Sequence, residues 1–488
     1  MICKKMTWLL MSVKNLVRNL QAIDFIKKIK NNEIDVVEHT HKVIDESKKI
    51  DKEYHYFNVI SDELAVKQAE LVKKNPSGKL AGLPVSVKDC ICVKGVETTS
   101  GSRILKGYKP VFDATVINKI KKEGGIIIGK VSQDEFGFGA FNVNVGLDFK
   151  VPLNPFDKGC VCGGSSGGSG GITQKTGYPH ISLGESTGGS IVNPASFCGV
   201  AGLCPTYGRV SRYGLLDFAN SLDKIGPMGK TTSDAALMLE VISGFDENES
   251  TSLNSPVDKY LEYANKDVSG MKIGVIKEAF KGDGAVEKHV WDGIKKLESK
   301  GVKYEEISLP TGIKYGVPAY YFLSTSEAST NLAKYSGMRY GKHEKLEGGF
   351  NEYFTKVRSS NFGSEAKRRI MLGTFSRMAG YRDAYYIRAA QIRTKIIQEY
   401  KKAFKKFDAL VSPTVPILPP TFKEVDKLSV LDNYMIDELT VGPNLAGMPH
   451  LSVNVGFEKK LPVGMMLIGD HLMEKKIIQL GSGVEVLK

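Results

Sequence analysis

The chain has 488 residues, 42% apolar and 25% charged, the balance of a soluble globular protein with room for a sizeable core in one large or two to three ordinary domains. Sixty-seven basic against 54 acidic residues give +13, but the lysines are scattered, with short runs such as Lys401-Lys402 and Lys405-Lys406; this reads as solvated faces and counts against a dedicated nucleic-acid patch. Seven cysteines, an odd number with no secretory signal before them, point to free thiols in a reducing cytoplasm.

Residues 1–11 hold Lys4-Lys5 and an apolar stretch, Met6 to Met11, too short to span a membrane. They are expected to be a non-native or dispensable extension, with Met11 an alternative start. Residues 12–75 carry Val37, Val43 and Ile44 among lysines and acids, a pattern that predicts an N-terminal helical layer.

Leu83-Pro84-Val85-Ser86-Val87-Lys88-Asp89 predicts a short strand ending in a lysine. A helix follows at about Asp113–Glu123. Gly124-Gly125-Ile126-Ile127-Ile128-Gly129-Lys130-Val131 approaches the phosphate loop GxxxxGK[ST], but Val131 stands where that loop needs a hydroxyl for magnesium, so the segment reads as a buried strand. Cys90-Ile91-Cys92 and Cys160-Val161-Cys162 lack the CxxC spacing of zinc sites and read as small buried thiols; no metal is expected.

Nine consecutive glycines and serines occupy residues 163–171, and Thr187-Gly188-Gly189-Ser190 follows. An isolated Gly/Ser run is usually a linker. Here it leads within about twenty residues into a second glycine turn and the apolar segment Phe197–Leu203, which argues for ordered loops instead. Pro194 fits the first turn of a helix after Ser190.

Beyond this, strands are predicted at Met271–Ile276 and Val302–Ile307, around a helix with Val286, Val290, Ile294 and Leu297 on one face. Residues 320–400 read as mostly helical. A strand at Ala409–Val411 precedes a proline-rich loop, and Leu451–Phe457 and Pro462–Ile468 form a strand pair joined by a lysine-bearing turn. The whole reads as one large α/β domain behind the helical layer.

Lys88, Ser165 and Ser190 together suggest acyl transfer by a serine without a histidine base. A serine hydroxyl needs a base within reach, and of eight histidines only His180 lies near the glycine turns, with nothing to mark it as a triad member. A lysine serves as base when neutral, a state that burial favours. The N–H groups of Thr187, Gly188, Gly189 and Ser190 can converge on the oxygen of a tetrahedral intermediate.

Val87-Lys88-Asp89, Gly163-Gly164-Ser165-Ser166-Gly167-Gly168-Ser169 and Thr187-Gly188-Gly189-Ser190 resemble the amidase signature family, over nearly the whole chain from about residue 12. The resemblance implies an α/β fold with a large central mixed sheet covered by helices on both faces, here spanning residues 76–488. It implies Ser190 as nucleophile, Lys88 as base and Ser165, after a cis peptide bond, as the bridge between them. One apparent extra residue between the two serine turns leaves Ser166 as the alternative bridge.

Pro205–Arg212, Lys367–Thr374, Ala379–Tyr386 and Asn444–Pro449 resemble the branch of that family formed by the glutaminase (A-type) components of glutamyl/aspartyl-tRNA amidotransferases. That resemblance implies glutamine as substrate, held by Tyr320, Arg369 and Asp437. It implies partnership with a B subunit, with a small C subunit, and with aminoacyl-tRNA bound mainly through the B subunit. ATP and Mg are implied at the partner, with no cofactor in this chain and no membrane. Two positions depart from many relatives: Ser186, preceded by Glu185, stands where they have aspartate, and Val192 where they have arginine. The alternatives are a free-standing amidase of other carboxamides and a catalytically silent scaffold.

Overall fold

A computed structural model describes residue 17, residues 20–281 and residues 284–487. The expected extension at residues 1–11 lies outside the described residues. The organising element is one eleven-stranded sheet in the order β1-β3-β2-β4-β6-β5-β10-β11-β9-β7-β8. Its strands are β1 (Phe57–Ile60), β2 (Pro84–Lys88), β3 (Ile126–Val131), β4 (Ile181–Ser186), β5 (Ala201–Cys204), β6 (Lys224–Gly229), β7 (Lys272–Ile276), β8 (Lys303–Ile307), β9 (Ala409–Pro413), β10 (His450–Glu458) and β11 (Leu461–Ile468). Pairing is mixed: β3-β2-β4 and β9-β7-β8 run parallel, and β4-β6-β5-β10-β11-β9 run antiparallel.

Side chains alternate across a strand, and that alternation divides the core in two. On β11, Val463, Met465 and Leu467 enter one cluster, and Met466 and Ile468 the other; on β9, Ala409 and Val411 oppose Leu410. The first cluster is closed by helices Ala22–Lys30, Val36–Tyr54, Asp62–Lys74, Thr115–Lys122, Thr232–Ile242, Gly284–Ser299 and Glu474–Val484. The second is closed by helices Pro310–Asn331, Phe350–Asn361, Ser364–Arg377, Arg388–Ala403 and Val441–Leu445. The expected mixed sheet with helices on both faces is therefore present.

Two elements differ from expectation. The N-terminal layer is not purely helical: Phe57–Ile60 is an edge strand, antiparallel to β3, and four residues are too few to show a period of two between charged helices. The glycine-serine run is only half a loop, because Gly167–Lys175 is a helix. Its glycines are there for contact, not flexibility. A Cβ on Gly168 would lie 2.6 Å from the Ser132 carbonyl oxygen, and one on Gly171 2.2 Å from the Tyr56 ring. No helix among the described residues is long and apolar enough to cross a membrane.

Candidate active site

The carboxyl ends of parallel strands leave a crevice where side chains from several strands meet. Here β2 ends in Lys88, β3 runs on through Ser132 to Asp134, and β4 ends in Glu185-Ser186 before the Thr187–Ser190 turn. On β2, Val85 and Val87 enter the first core cluster. Ser86 and Lys88 point the other way, and Ser86 Oγ lies 2.9 Å from His180 Nε2. His180 also meets Thr173 Oγ1 at 3.4 Å. Burial, then Lys230, hold that imidazole down at about 3, so it is neutral and structural.

Lys88 is fully buried. Its Nζ donates to Ser165 Oγ at 2.7 Å, to the Glu185 carbonyl at 2.8 Å and to Glu185 Oε2 at 2.8 Å. The Gly164–Ser165 peptide bond is cis. Ser166 faces elsewhere, donating from Oγ to the Glu185 carbonyl at 3.1 Å, so of the two candidate bridges Ser165 is the one against Lys88. The serine turns are tied by the Ser166 N–H, which donates to the Ser190 carbonyl at 3.2 Å. Ser190 itself is 6% exposed.

The Thr187–Ser190 turn is braced on every side. Ser186 Oγ donates to the Gly188 carbonyl at 3.2 Å, and Asn444 Nδ2 donates to the Thr187 carbonyl. A Cβ on Gly188 would sit 3.0 Å from the Tyr320 ring, which thus packs directly over the turn. A Cβ on Gly189 would lie 2.5 Å from the Asn193 side chain and from Thr440 Oγ1. Helix Val192–Cys198 starts immediately after, with Pro194 in its first turn and Val192 buried in the second core cluster.

Arg369 and Asp437, which hydropathy alone would leave in solvent, are 2% and 5% exposed. Four rings surround the Arg369 guanidinium: Phe138 at 5.1 Å, Phe218 at 5.7 Å, Tyr321 at 5.0 Å and Tyr434 at 5.4 Å. Its Nε donates to Glu365 Oε1 at 2.9 Å, and the Tyr434 hydroxyl donates to the same oxygen at 2.7 Å. Asp437 Oδ1 accepts from Asn193 Nδ2 at 2.7 Å. Burial pushes the Asp437 carboxyl up to about 6, against the pull of that hydrogen bond and of the Arg369 charge. Asp134 is raised to about 6 by burial and accepts the backbone N–H groups of Asn142 and Asn144.

A cavity of about 180 Å³ opens beside this cluster, lined by Asp134, Phe138, Asn144, Tyr321, Glu365, Arg369 and Tyr434 among others. Ser190, Tyr320 and Asp437 are outside its lining; Tyr320 packs over the turn that bears Ser190, and Asp437 is tied to Asn193 on the helix that follows it. Glu185, Asp134, Asn193, Glu365 and Tyr434 escape the sequence reading as site residues. Only Glu365 leaves a readable signal, four residues before Arg369 on helix Ser364–Arg377. Among the described residues no cluster of histidines, cysteines and acids could hold a metal ion, and Cys90, Cys92, Cys160, Cys162, Cys198 and Cys204 are buried free thiols.

A buried lysine on a serine hydroxyl stands beside a second serine in a glycine turn, and the chain belongs to the amidase family, whose family model matches residues 38–478. It is 43% identical to the A subunit of glutamyl-tRNA(Gln) amidotransferase from Carboxydothermus hydrogenoformans, over 96% of each chain. The same-named protein of Sulfurihydrogenibium is also 43% identical, over 93% of this chain and 94% of that one. The crystal structure of the A subunit of glutamyl-tRNA(Gln) amidotransferase from Thermotoga maritima superposes with a TM-score of 0.78 at 35% identity, covering 96% of this chain and 97% of that chain.

Proposed function

We propose that this chain is the glutamine-hydrolysing A subunit of a tRNA-dependent amidotransferase, supplying ammonia for the conversion of Glu-tRNA(Gln) to Gln-tRNA(Gln), and of Asp-tRNA(Asn) where the same complex serves both. The observation that carries the chemistry is the 2.7 Å contact of buried Lys88 with Ser165, next to the turn that bears Ser190. Ser190 Oγ attacks the side-chain carbonyl of glutamine, and its proton passes through Ser165 to Lys88. The N–H groups of Thr187, Gly188 and Gly189 receive the oxyanion; a single donor in such a hole is worth about 3 kcal/mol. The proton returns through Ser165 to the leaving nitrogen, ammonia departs, and water releases glutamate from the Ser190 ester.

Substrate choice follows from the polar cluster. The guanidinium of Arg369 suits the glutamine α-carboxylate, Asp437 suits the α-ammonium, and Tyr320 closes over the turn. Ammonia then passes to a B subunit, where ATP and Mg would activate the side-chain carboxylate of the tRNA-bound glutamate or aspartate and where most of the tRNA contact lies; a small C subunit completes the complex. The setting is cytoplasmic.

The test is ammonia release from glutamine by the purified chain, alone and with partner subunits, ATP and misacylated tRNA. Release that rises with the partners and nearly vanishes in Lys88→Ala and Ser190→Ala is the expected result. Fast release from simple amides that ignores the partners would instead make the chain a free-standing amidase.

A further inference from the structure

Lys88 has three acceptors around Nζ, one for each ammonium proton, and two of them belong to Glu185. Its Nζ lies 2.8 Å from the Glu185 carboxylate, yet a base must begin the reaction neutral. The other oxygen of Glu185 leads to a way out of this conflict. Thr187 Oγ1 lies 2.9 Å from Glu185 Oε1 and 2.8 Å from Asp223 Oδ1. Two oxygen–oxygen contacts of that length need two protons, and a threonine hydroxyl carries one. The second sits on one of the two carboxyl groups, so the buried pair holds a proton between them.

The surroundings agree with the count. Asp223 accepts the backbone N–H groups of Phe218 and Ala219 at 2.9–3.0 Å, which anchors it to its loop. Burial, and after it the charge of Glu185, push its carboxyl well above the ordinary carboxylate range. The other titratable or charged groups facing the cluster are Cys90 after β2, Asp134 after β3, Cys204 on β5, Tyr320 on helix Pro310–Asn331 and Arg212 beside Asp223.

We propose that Glu185 is a positioning residue for the Lys88–Ser165 relay: it shares a proton with Asp223 through the Thr187 hydroxyl and sets whether Lys88 is charged when Ser190 attacks. This rests on the reading of Lys88 as the base. At rest the Lys88 ammonium faces the Glu185 carboxylate, with the shared proton on Asp223. Before attack one N–H bond of Lys88 breaks and an O–H bond forms on Glu185 Oε2, leaving the lone pair on Nζ. That lone pair takes the Ser165 proton as Ser165 takes the Ser190 proton. When ammonia leaves, the relay runs backwards and Glu185 returns its proton to Lys88. No outside reactant is needed.

The experiment is the pH dependence of kcat and kcat/KM for glutamine, measured on the assembled complex. Glu185→Gln keeps an acceptor for Nζ but carries no charge and takes no proton. The variant can react only where Lys88 has already lost a proton to solvent, so the acidic limb of its kcat/KM profile should move up by about one pH unit or more and plateau kcat should fall about tenfold, with KM nearly unchanged because Glu185 lies outside the Arg369 and Asp437 cluster. Glu185→Asp should restore the limb toward wild type. In the infrared, the wild-type chain at about pH 8, above the values of Asp134, Glu135 and Asp437, should show a protonated carboxyl that Asp223→Asn removes. A Gln variant whose limb coincides with wild type, or no such carboxyl band, overturns the inference. Wild-type glutamine hydrolysis that survives Ser190→Ala would sink the underlying reading instead.

Discussion

The aromatic cage around Arg369 makes its removal the most direct test of substrate identity. Arg369 is charged at any working pH, almost wholly buried, and tied through Nε to Glu365 at 2.9 Å. Its two terminal nitrogens are the ones suited to a carboxylate in the adjoining cavity. Two charge-assisted hydrogen bonds are worth about 1.5–3 kcal/mol each. In Arg369→Ala the ligand carboxylate would in addition face Glu365, whose remaining cationic partner is the partly exposed Arg368. A loss of at least about 3 kcal/mol, roughly a hundredfold in kcat/KM, is expected, most of it in KM because the α-carboxylate is remote from the scissile bond. Arg369→Lys keeps the charge but not the planar fork and should fall between the two. The assay is steady-state ammonia release from glutamine beside release from butyramide, which has no α-carboxylate, with a thermal melt to show that each variant is folded. An unchanged KM for glutamine, or an equal fractional loss on butyramide, would refute the assignment.

Two further outcomes follow from the same geometry. Asp437 titrates at about 6 and must be ionised to pair the glutamine ammonium, so KM for glutamine should rise about tenfold per pH unit below that value; a KM flat from about pH 7 to 5 would remove Asp437 from substrate binding. Gly171→Ala would gain about 1 kcal/mol of helix propensity, but its Cβ would press on a Tyr56 ring pinned by a 2.8 Å hydrogen bond to the Leu153 carbonyl. Overpacking should win and destabilise the fold by about 1–3 kcal/mol in denaturant melts; a more stable variant would contradict the close packing of that helix.

The candidate catalytic residues were legible because short motifs name them, and most strands were legible because their apolar runs are bounded by turns. The polar cluster was not, for a reason visible in helix Ser364–Arg377. Its buried positions are Glu365, Ala366, Arg369, Gly373 and Ser376, spaced at helical period but polar or small. A Cβ on Gly373 would lie 1.9 Å from the Thr325 carbonyl oxygen, so two helix backbones nearly touch there. On its other side Met371 and Leu372 are exposed. Hydropathy therefore reads this helix inside out, and only the resemblance assigned Arg369 inward. The ties that fix the site also join residues far apart in the chain, Asn193 to Asp437 and Asn444 to Thr187. No local pattern encodes them.

Glu185 and Ser186 show the limit more sharply. As sequence, they read only as a departure ahead of the glycine turn. In the fold they divide two tasks by one residue of register. Ser186 closes the turn through its own hydroxyl onto the Gly188 carbonyl. Glu185 reaches Lys88 with one oxygen and the Thr187 hydroxyl with the other. Successive residues at a strand end point to different sides, so exchanging the two would put a carboxylate on the turn and a hydroxyl on the lysine. The surroundings of Lys88 thus depend on which of two neighbours carries the charge, a distinction that composition and motif spacing do not register and that β4 supplies by ending where it does.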